Sequence, residues 1–368
     1  MTIAAARVTP FAIPYKRPLE LTGGTATLHR GLLVAISDAA GHTGCGEIAP
    51  GPGASATEVD RLATAARKTA SALLGSSAET TAEAASPAYQ PPAAIRAGFE
   101  SALFDLQSRR QARPLHQLLT DHTATGCTRT AVAVNALLDR GEPDAALRAV
   151  RRAVARGFTT IKIKFDSRRF DATLKTLRAI RDEFGPHIGL RLDTNGQWTV
   201  DDATAGLAQL ERFHLEYVEQ PTDSLASLAE LRRTTNVPIA ADESAADLAA
   251  VERAIELGAA DVFVLKPARM GLLEAMQAAR RARSRGIGVV VTSNLDTSIG
   301  IAAALHLAAA ADSLDGGTTY AHGLATADLL QGDLVEHPLI ASDGLLRLPH
   351  GCGSGVATDP GHLRRWSC

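Results

Sequence analysis

The tightest constraint on the fold lies in residues 131–310, where apolar runs of strand length alternate with helix-patterned segments. AVAVNALL, TTIKIKF, IGLRLDTN, LEYVEQP, PIAADES, DVFVLKP and GVVVTS read as strands. Asp144–Arg156, Asp171–Phe184, Val200–Arg212, Leu225–Thr234, Asp247–Leu257 and Leu272–Arg285 read as the helices between them, and Ile299–Ala310 follows the last strand. The spacing predicts Leu147, Val150 and Val154 inward in the first helix, with Gly157 as C-cap. It predicts Leu174, Leu177, Ile180 and Phe184 inward in the second. Such alternation implies parallel strands with helices outside. The strands recur about every 25 residues, which favours a closed (β/α)8 barrel over an open doubly wound sheet. An eighth strand has one candidate, TTYAHGL (318–324), which is poor by propensity. No GxGxxG or P-loop follows a strand, so a nucleotide-binding fold is not expected.

Residues 1–128 read instead as mixed α and β. RVTPFAIPY and GLLVAISDAAGHTGCGEIAP are predicted strands, the second folding back as a hairpin at Asp38–Gly44. ATEVDRLATAARKTASALLG is a helix closed by Gly75. Residues 76–92 are small, polar and Pro-rich, a surface loop by composition. AAIRAGFESALFDLQSRRQ is a helix with Ile95, Phe99, Ala102 and Leu106 on one face. The 368 residues suffice for a sizeable core, and a net charge of −2 gives no reason to expect nucleic acid or an anionic membrane as partner. Cys45, Cys127, Cys352 and Cys368 lie too far apart for a disulfide framework or a zinc spacing. They read as reduced thiols of a cytoplasmic protein. The start MTIAAARVTPFAIPY lacks the apolar region of a signal peptide, and no apolar run is long enough to span a membrane.

Charges fall at the ends of the predicted strands. Asp193, Glu219 and Asp242 each close an apolar strand, 26 and 23 residues apart, one β/α unit each. One acidic residue in that place is ordinarily a helix N-cap. Three in register on consecutive strands converge at the C-terminal mouth of a barrel, where active sites form. Three hard oxygen donors without histidine or cysteine suit Mg2+ or Mn2+ rather than zinc. Lys162 and Lys164 share one face of the preceding strand, opposite Ile161, Ile163 and Phe165, and Lys266 ends the strand after Asp242. The mouth thus reads Lys-x-Lys, Asp, Glu, Asp, Lys over five strands. Each lysine alone could be a snorkelling surface residue, and Lys266 alone a Schiff-base lysine. Together they suggest removal of a proton next to a carboxylate. The second negative charge that then develops needs a cation, and the base must be a neutral amine, a state that a neighbouring ammonium favours.

These residues resemble the enolase superfamily, muconate lactonizing enzyme subgroup, over nearly the whole chain. RLDTNGQW (191–198), VEQP (218–221) and ADES (241–244) are similar to the subgroup generally. GEIAPGPG (46–53), VNALL (134–138), LKPARMG (265–271), TSNLDTSIG (292–300) and HGLATADLL (322–330) resemble its o-succinylbenzoate synthase family. The resemblance implies an α/β fold: a modified (β/α)7β TIM barrel with an N-terminal α+β capping domain completed by the C-terminal tail. The expected divisions are 1–128, 129–340 and 341–368.

Carried over to this chain, the resemblance implies Asp193, Glu219 and Asp242 as Mg2+ ligands, with Mn2+ as a substitute. It implies Lys164 as general base and then acid in a syn elimination, Lys162 as its support, and Lys266 as the charge facing the intermediate. Asn195 and Glu243 would stand beside the ligands. Ser293 and Asn294 would meet the succinyl tail, and Arg30 is the candidate anion partner in the capping loops 19–30 and 51–55 that close the site. The implied partner is a small carboxylate substrate, in a cytoplasmic enzyme compatible with a homo-oligomer. N-succinylamino acid racemases share this site, and muconate cycloisomerases stand further off. Dipeptide epimerases share the lysines and acids but typically carry an Asp-x-Asp pair after the eighth strand, where this chain reads YAHGLAT. A binding-only barrel would have lost at least one of the six charged positions, and all are present.

Overall fold

The computed structural model describes residues 2–21, 24–76, 91–120, 127–138 and 141–368. Most of the predicted 76–92 loop lies outside these. Strands β1 (Ile3–Leu21), β2 (Gly24–Asp38) and β3 (Thr43–Ile48) form an antiparallel sheet in that order. The predicted hairpin is there: the Asp38 carboxylate accepts the Ala40 and His42 amides and holds the turn. Helix α1 (Ala56–Leu73) starts at Ser55, whose hydroxyl accepts the Glu58 amide. Helix α2 (Ala93–Arg110) buries Ile95, Phe99, Ala102 and Leu106 as predicted. It lies so close to β3 that a Cβ on Gly46 would stand 2.1 Å from the Gly98 carbonyl. Helix α3 (Leu115–Leu119) leads towards the second unit.

AVAVNALL, expected as one strand, is two. β4 (Ala131–Ala133) pairs antiparallel with β12 (Leu345–Arg347) of the C-terminal tail, while β5 (Ala136–Leu138) opens a parallel sheet. That sheet continues through β6 (Thr160–Lys164), β7 (Gly189–Asp193), β8 (Tyr217–Glu219), β9 (Ile239–Ala241), β10 (Val262–Leu265) and β11 (Gly288–Val291). The eighth strand is not a continuous one. Thr319, His322 and Gly323 make isolated parallel bridges to Val289, Val134 and Thr292, and the His322 and Gly323 amides donate to Ala133 and Val291. This closes the barrel with few ladder bonds, as the weak β-propensity of the segment allows.

Outside the strands lie α4 (Pro143–Ala155), α5 (Phe170–Phe184), α6 (Val200–Leu210), α7 (Leu225–Arg232), α8 (Leu248–Leu257), α9 (Pro267–Met270), α10 (Leu272–Arg283) and α11 (Ser298–Ala311). The inner face of α4 is Ala146, Val150 and Ala153, with the predicted Leu147 and Val154 only partly buried beside it. In α5, Leu177 and Ile180 are fully buried, whereas Leu174 and Phe184 are partly so and Thr173 and Thr176 take their place. Val150, Leu177 and Ile180 are innermost, and the small alanines and threonines fill the narrow gap between helix and strand beside them. Helix α11 is apolar all round and buried on all sides, as expected of a helix with no solvent face. The last helix, α12 (Pro360–Trp366), returns to β1, where Ser367 bridges Phe11. Among the described residues no helix is long and apolar enough to cross a membrane.

Side-chain alternation separates two interiors. Ile161, Ile163, Leu190, Leu192 and Val218 face the helices, while Tyr217, Ala240, Val262, Val264 and Val290 fill the barrel with Tyr320 against them. Arg191 is also inside, fully buried, donating to Glu216, Asn135 and the Ala321 carbonyl beneath the Tyr217 ring. Arg191→Leu would leave these acceptors unpaired in the interior. A loss of about 3–5 kcal/mol is expected, to be measured by urea unfolding. A variant as stable as the parent would show the cluster to be dispensable.

Candidate active site

The sheet brings Lys162, Lys164, Asp193, Glu219, Asp242 and Lys266 to one end of the barrel. Register explains it: Lys164 pairs with Asp193 and Asp193 with Glu219 across the parallel ladder. Parallel neighbours in register project to the same face and height, so charges at strand ends become a ring. Lys162 Nζ lies 2.7 Å from Glu219 Oε1 and 3.0 Å from Asp193 Oδ2. Lys164 Nζ lies 2.7 Å from that same Asp193 oxygen and 3.3 Å from Asn195 Oδ1. Lys266 donates to Asp242 Oδ2. The two β6 ammonium groups are thus separated by a carboxylate oxygen that accepts from both.

Burial sets the electrostatics. Glu219 is wholly buried and its Oε2 has no partner. Burial first, and the Asp193 charge second, push its carboxyl up to about 8. Burial alone would also raise Asp193, but Lys162 and Lys164 hold it well below the ordinary carboxylate range. Burial works against the Lys162 ammonium, yet Asp193 and Glu219 outweigh it and hold that lysine well above its ordinary value. Lys266 is raised in the same way, chiefly by Asp242.

A cavity of about 160 Å3 opens over this ring, lined among others by Lys162, Lys164, Asp193, Asp242, Lys266 and Asn294. Asn195 borders it in a left-handed turn (φ 47°), a conformation asparagine tolerates, and donates to the exposed Glu243 at 3.1 Å. Ser293 and Asn294 form the wall after β11, Ser293 sharing a 2.7 Å hydrogen bond with Thr326. Pro52 of the capping loop also lines it. Arg30 does not: it lies half-buried in β2, and its neighbour His29, on the opposite face of that strand, is the one turned inward. Asp312, which precedes the closing segment, is engaged by Arg283 and His322 and does not supply the acidic pair of an epimerase.

Residues not singled out from the sequence hold the ring in place. Gln220 (φ 43°) accepts the Asp242 and Ser244 amides and donates to Thr222 O. The Thr194 hydroxyl donates to the Glu219 carbonyl. Both sit inside RLDTN and VEQP, next to the charged positions, and their polarity beside a buried strand end was the available signal.

Residues 3–120 match the mandelate racemase / muconate lactonizing enzyme N-terminal domain, and residues 145–362 an enolase C-terminal domain-like family. The chain belongs to the enolase superfamily, muconate lactonizing enzyme subgroup. It is an enzyme of that superfamily, with the barrel and capping domain the resemblance implied. It is 42% identical to an o-succinylbenzoate synthase of Thermobifida fusca over 220 residues, 59% of this chain and 67% of that one. It is 35% identical to an N-succinylamino acid racemase of Thermus thermophilus over 285 residues, 76% and 72% of the two chains. A dipeptide epimerase from Cytophaga hutchinsonii, complexed with Mg and the dipeptide D-Ala-L-Val, superposes with a TM-score of 0.87 at 25% identity, covering 100% of this chain and 98% of that one.

Proposed function

We propose that this superfamily member is an o-succinylbenzoate synthase, removing water from 2-succinyl-6-hydroxy-2,4-cyclohexadiene-1-carboxylate to give o-succinylbenzoate. The observation that carries the reading is two lysines on one strand and a third across the cavity, facing a ring of three carboxylates, in a chain 42% identical to such a synthase. Asp193, Glu219 and Asp242 are assigned to a divalent cation, Mg2+ or Mn2+. Among the described residues no group of three or more His, Cys, Asp or Glu is already set as a ligand cage, and each of the three carboxylates accepts from a lysine. The donor chemistry fits nonetheless: three hard-oxygen acids meet at the ring, and Glu219 keeps one buried oxygen unpartnered. When bound, such an ion supplies positive charge against the second negative charge that a carboxylate gains as its α-proton leaves.

The chain's own groups do the proton work. Lys164 Nζ, as the free amine, takes the proton from the ring carbon bearing the carboxylate. The electron pair moves towards that carboxylate, faced by the Lys162 and Lys266 ammonium groups. The carbon–oxygen bond of the 6-hydroxyl then breaks, the ring becomes aromatic, and Lys164 returns its proton to the departing oxygen, releasing water. One lysine serving both steps requires both groups to leave from one face. Incubation with Mg2+ and the cyclohexadiene, followed by aromatic absorbance, tests this directly. No absorbance change would count against dehydration.

One observation favours a second reading. Lys164 ends β6 and Lys266 follows β10, four strands further round the barrel, and both line the cavity, so a proton removed on one side could return on the other, as a racemase requires. The 35% identity to a racemase over 76% of the chain supports it. Solvent deuterium entering the α-position of an N-succinylamino acid would reveal this activity.

A further inference from the structure

Behind the cavity wall, Tyr15, His29, Glu47, Asp296 and Asp333 are all buried where the N-terminal sheet meets the start of α11. The proposed reaction uses none of them. We propose that Glu47 is a positioning residue: its carboxylate clamps the capping sheet to α11 and so fixes Asn294 and the 49–52 loop as the wall that selects the substrate's acyl tail. The proposal rests on reading the cavity as the substrate site.

Glu47 Oε1 accepts from His29 Nε2 at 2.8 Å, and Oε2 from the Thr297 amide, the Thr297 hydroxyl and the Gly300 amide at 3.1, 2.5 and 3.1 Å. A residue from one unit thereby satisfies donors at the helix N-terminus of the other. Burial alone would raise the Glu47 carboxyl, but the His29 hydrogen bond and the Thr297 donors hold it below its ordinary value. Glycine at 300 is required by the approach, since a Cβ there would stand 3.1 Å from Glu47 Oε2 and 2.6 Å from the Asp296 Cβ.

From the clamp, two short segments run side by side to the cavity. On one, Ala49 O accepts from Asn294 Nδ2 at 2.9 Å, and Gly51 and Pro52 follow, Pro52 reaching the cavity. On the other, the Asn294 amide donates to Asp296 Oδ2 at 3.0 Å. Between them Leu295 is held at φ 64°, a left-handed conformation that a branched side chain adopts only where its surroundings over-determine it. Leu295 lines the cavity too. Glu47, Asn294 and the strained Leu295 therefore form one unit, whose two segments are joined by the partly buried hydrogen bond from Asn294 to Ala49. Tyr15 Oη, His29 Nδ1 and Asp296 Oδ1 are buried there without partners, and Asp333 accepts the Ser298 amide and hydroxyl from within the barrel unit, so Glu47 is the cluster's carboxylate that reaches from the capping sheet to α11.

Two measurements on the full-length enzyme test this. In hydrogen exchange, Glu47→Gln is expected to speed exchange at the Ala54, Asn294 and Leu295 amides as well as at Thr297 and Gly300, which it bonds directly. A rise confined to Thr297 and Gly300 would overturn the proposal, because the clamp would then be local. In kinetics, Glu47→Gln should raise KM about tenfold with kcat within about threefold. In an Asn294→Ala background the same change should add less than about twofold, because the two act through one unit. Equal effects in both backgrounds, or a lowered Tm with KM unchanged, would also overturn it. Thr297→Val removes one donor to Glu47 while keeping its charge, and it enters the same cycle if Glu47→Gln does not fold. A parent enzyme without turnover would count against the proposed reaction alone, and the exchange result would still decide the clamp.

Discussion

Lys164→Ala is expected to lower kcat by about a thousandfold, in the range for loss of a positioned proton-transfer group. Lys164 contacts Asp193 and Asn195, and its side chain is 30% exposed, so its removal opens space at the cavity rather than in the core. The fold should survive. Mg2+ affinity should hold or rise, because Asp193 loses one competing cation. Lys164→Arg should be nearly as inactive, since a guanidinium keeps the charge but does not give up its proton near neutral pH. Lys162→Ala differs in kind. That ammonium is held by two buried carboxylates, and taking it away leaves Asp193 and Glu219 facing each other, which costs stability as well as rate. Steady-state kinetics and calorimetric Mg2+ titration separate these outcomes. A Lys164→Ala enzyme within tenfold of the parent would refute the base assignment.

Glu219→Gln should abolish Mg2+-dependent turnover and yet stabilise the cation-free protein at high pH. The Glu219 carboxyl is pushed up to about 8, by burial and then by Asp193, from an ordinary value of 4.5. The native state thus keeps a proton that the unfolded chain has released, and stability must fall as pH rises from about 4.5 to about 8. Glutamine carries no such proton. The parent, melted in chelator, should lose more Tm than the variant between pH 5 and pH 8. Mg2+ should raise the parent's Tm most at the upper end, where the carboxylate is free to ligate. The variant should gain little from Mg2+, its affinity falling by more than the roughly 10–100-fold typical of losing an outer-shell partner. Parallel pH profiles for parent and variant in chelator would contradict the raised carboxyl.

TTIKIKF shows how far pattern reading reached. Alternation put Lys162 and Lys164 on one face and Ile161 and Ile163 on the other, and the β6 burial pattern agrees. Two lysines side by side on one strand face predict mutual repulsion. In the structure attraction dominates, because Asp193 Oδ2 lies within 3.0 Å of both ammonium groups. A strand pairing in register brought that oxygen between them, and no local pattern specifies how two segments 29 residues apart will align.

The same division holds across the molecule. Strand and helix periods are local properties, so the barrel, its charged rim and the six ionisable positions were legible from the residues alone. Closure was not. The segment around His322 has little intrinsic preference for strand and is held by neighbours on both sides. The misplaced Arg30 has the same cause: a one-residue step along β2 exchanges it for His29, and only packing against α11 says which of the two turns inward. The Glu47 clamp joins residues 250 apart. Sequence by itself determined which charged side chains gather at the barrel mouth, because that depends on residue type and period. Tertiary structure decided which carboxylate meets which lysine and which capping residue braces the cavity wall, because hydrogen bonds and burial between distant segments exist only once the chain has closed on itself.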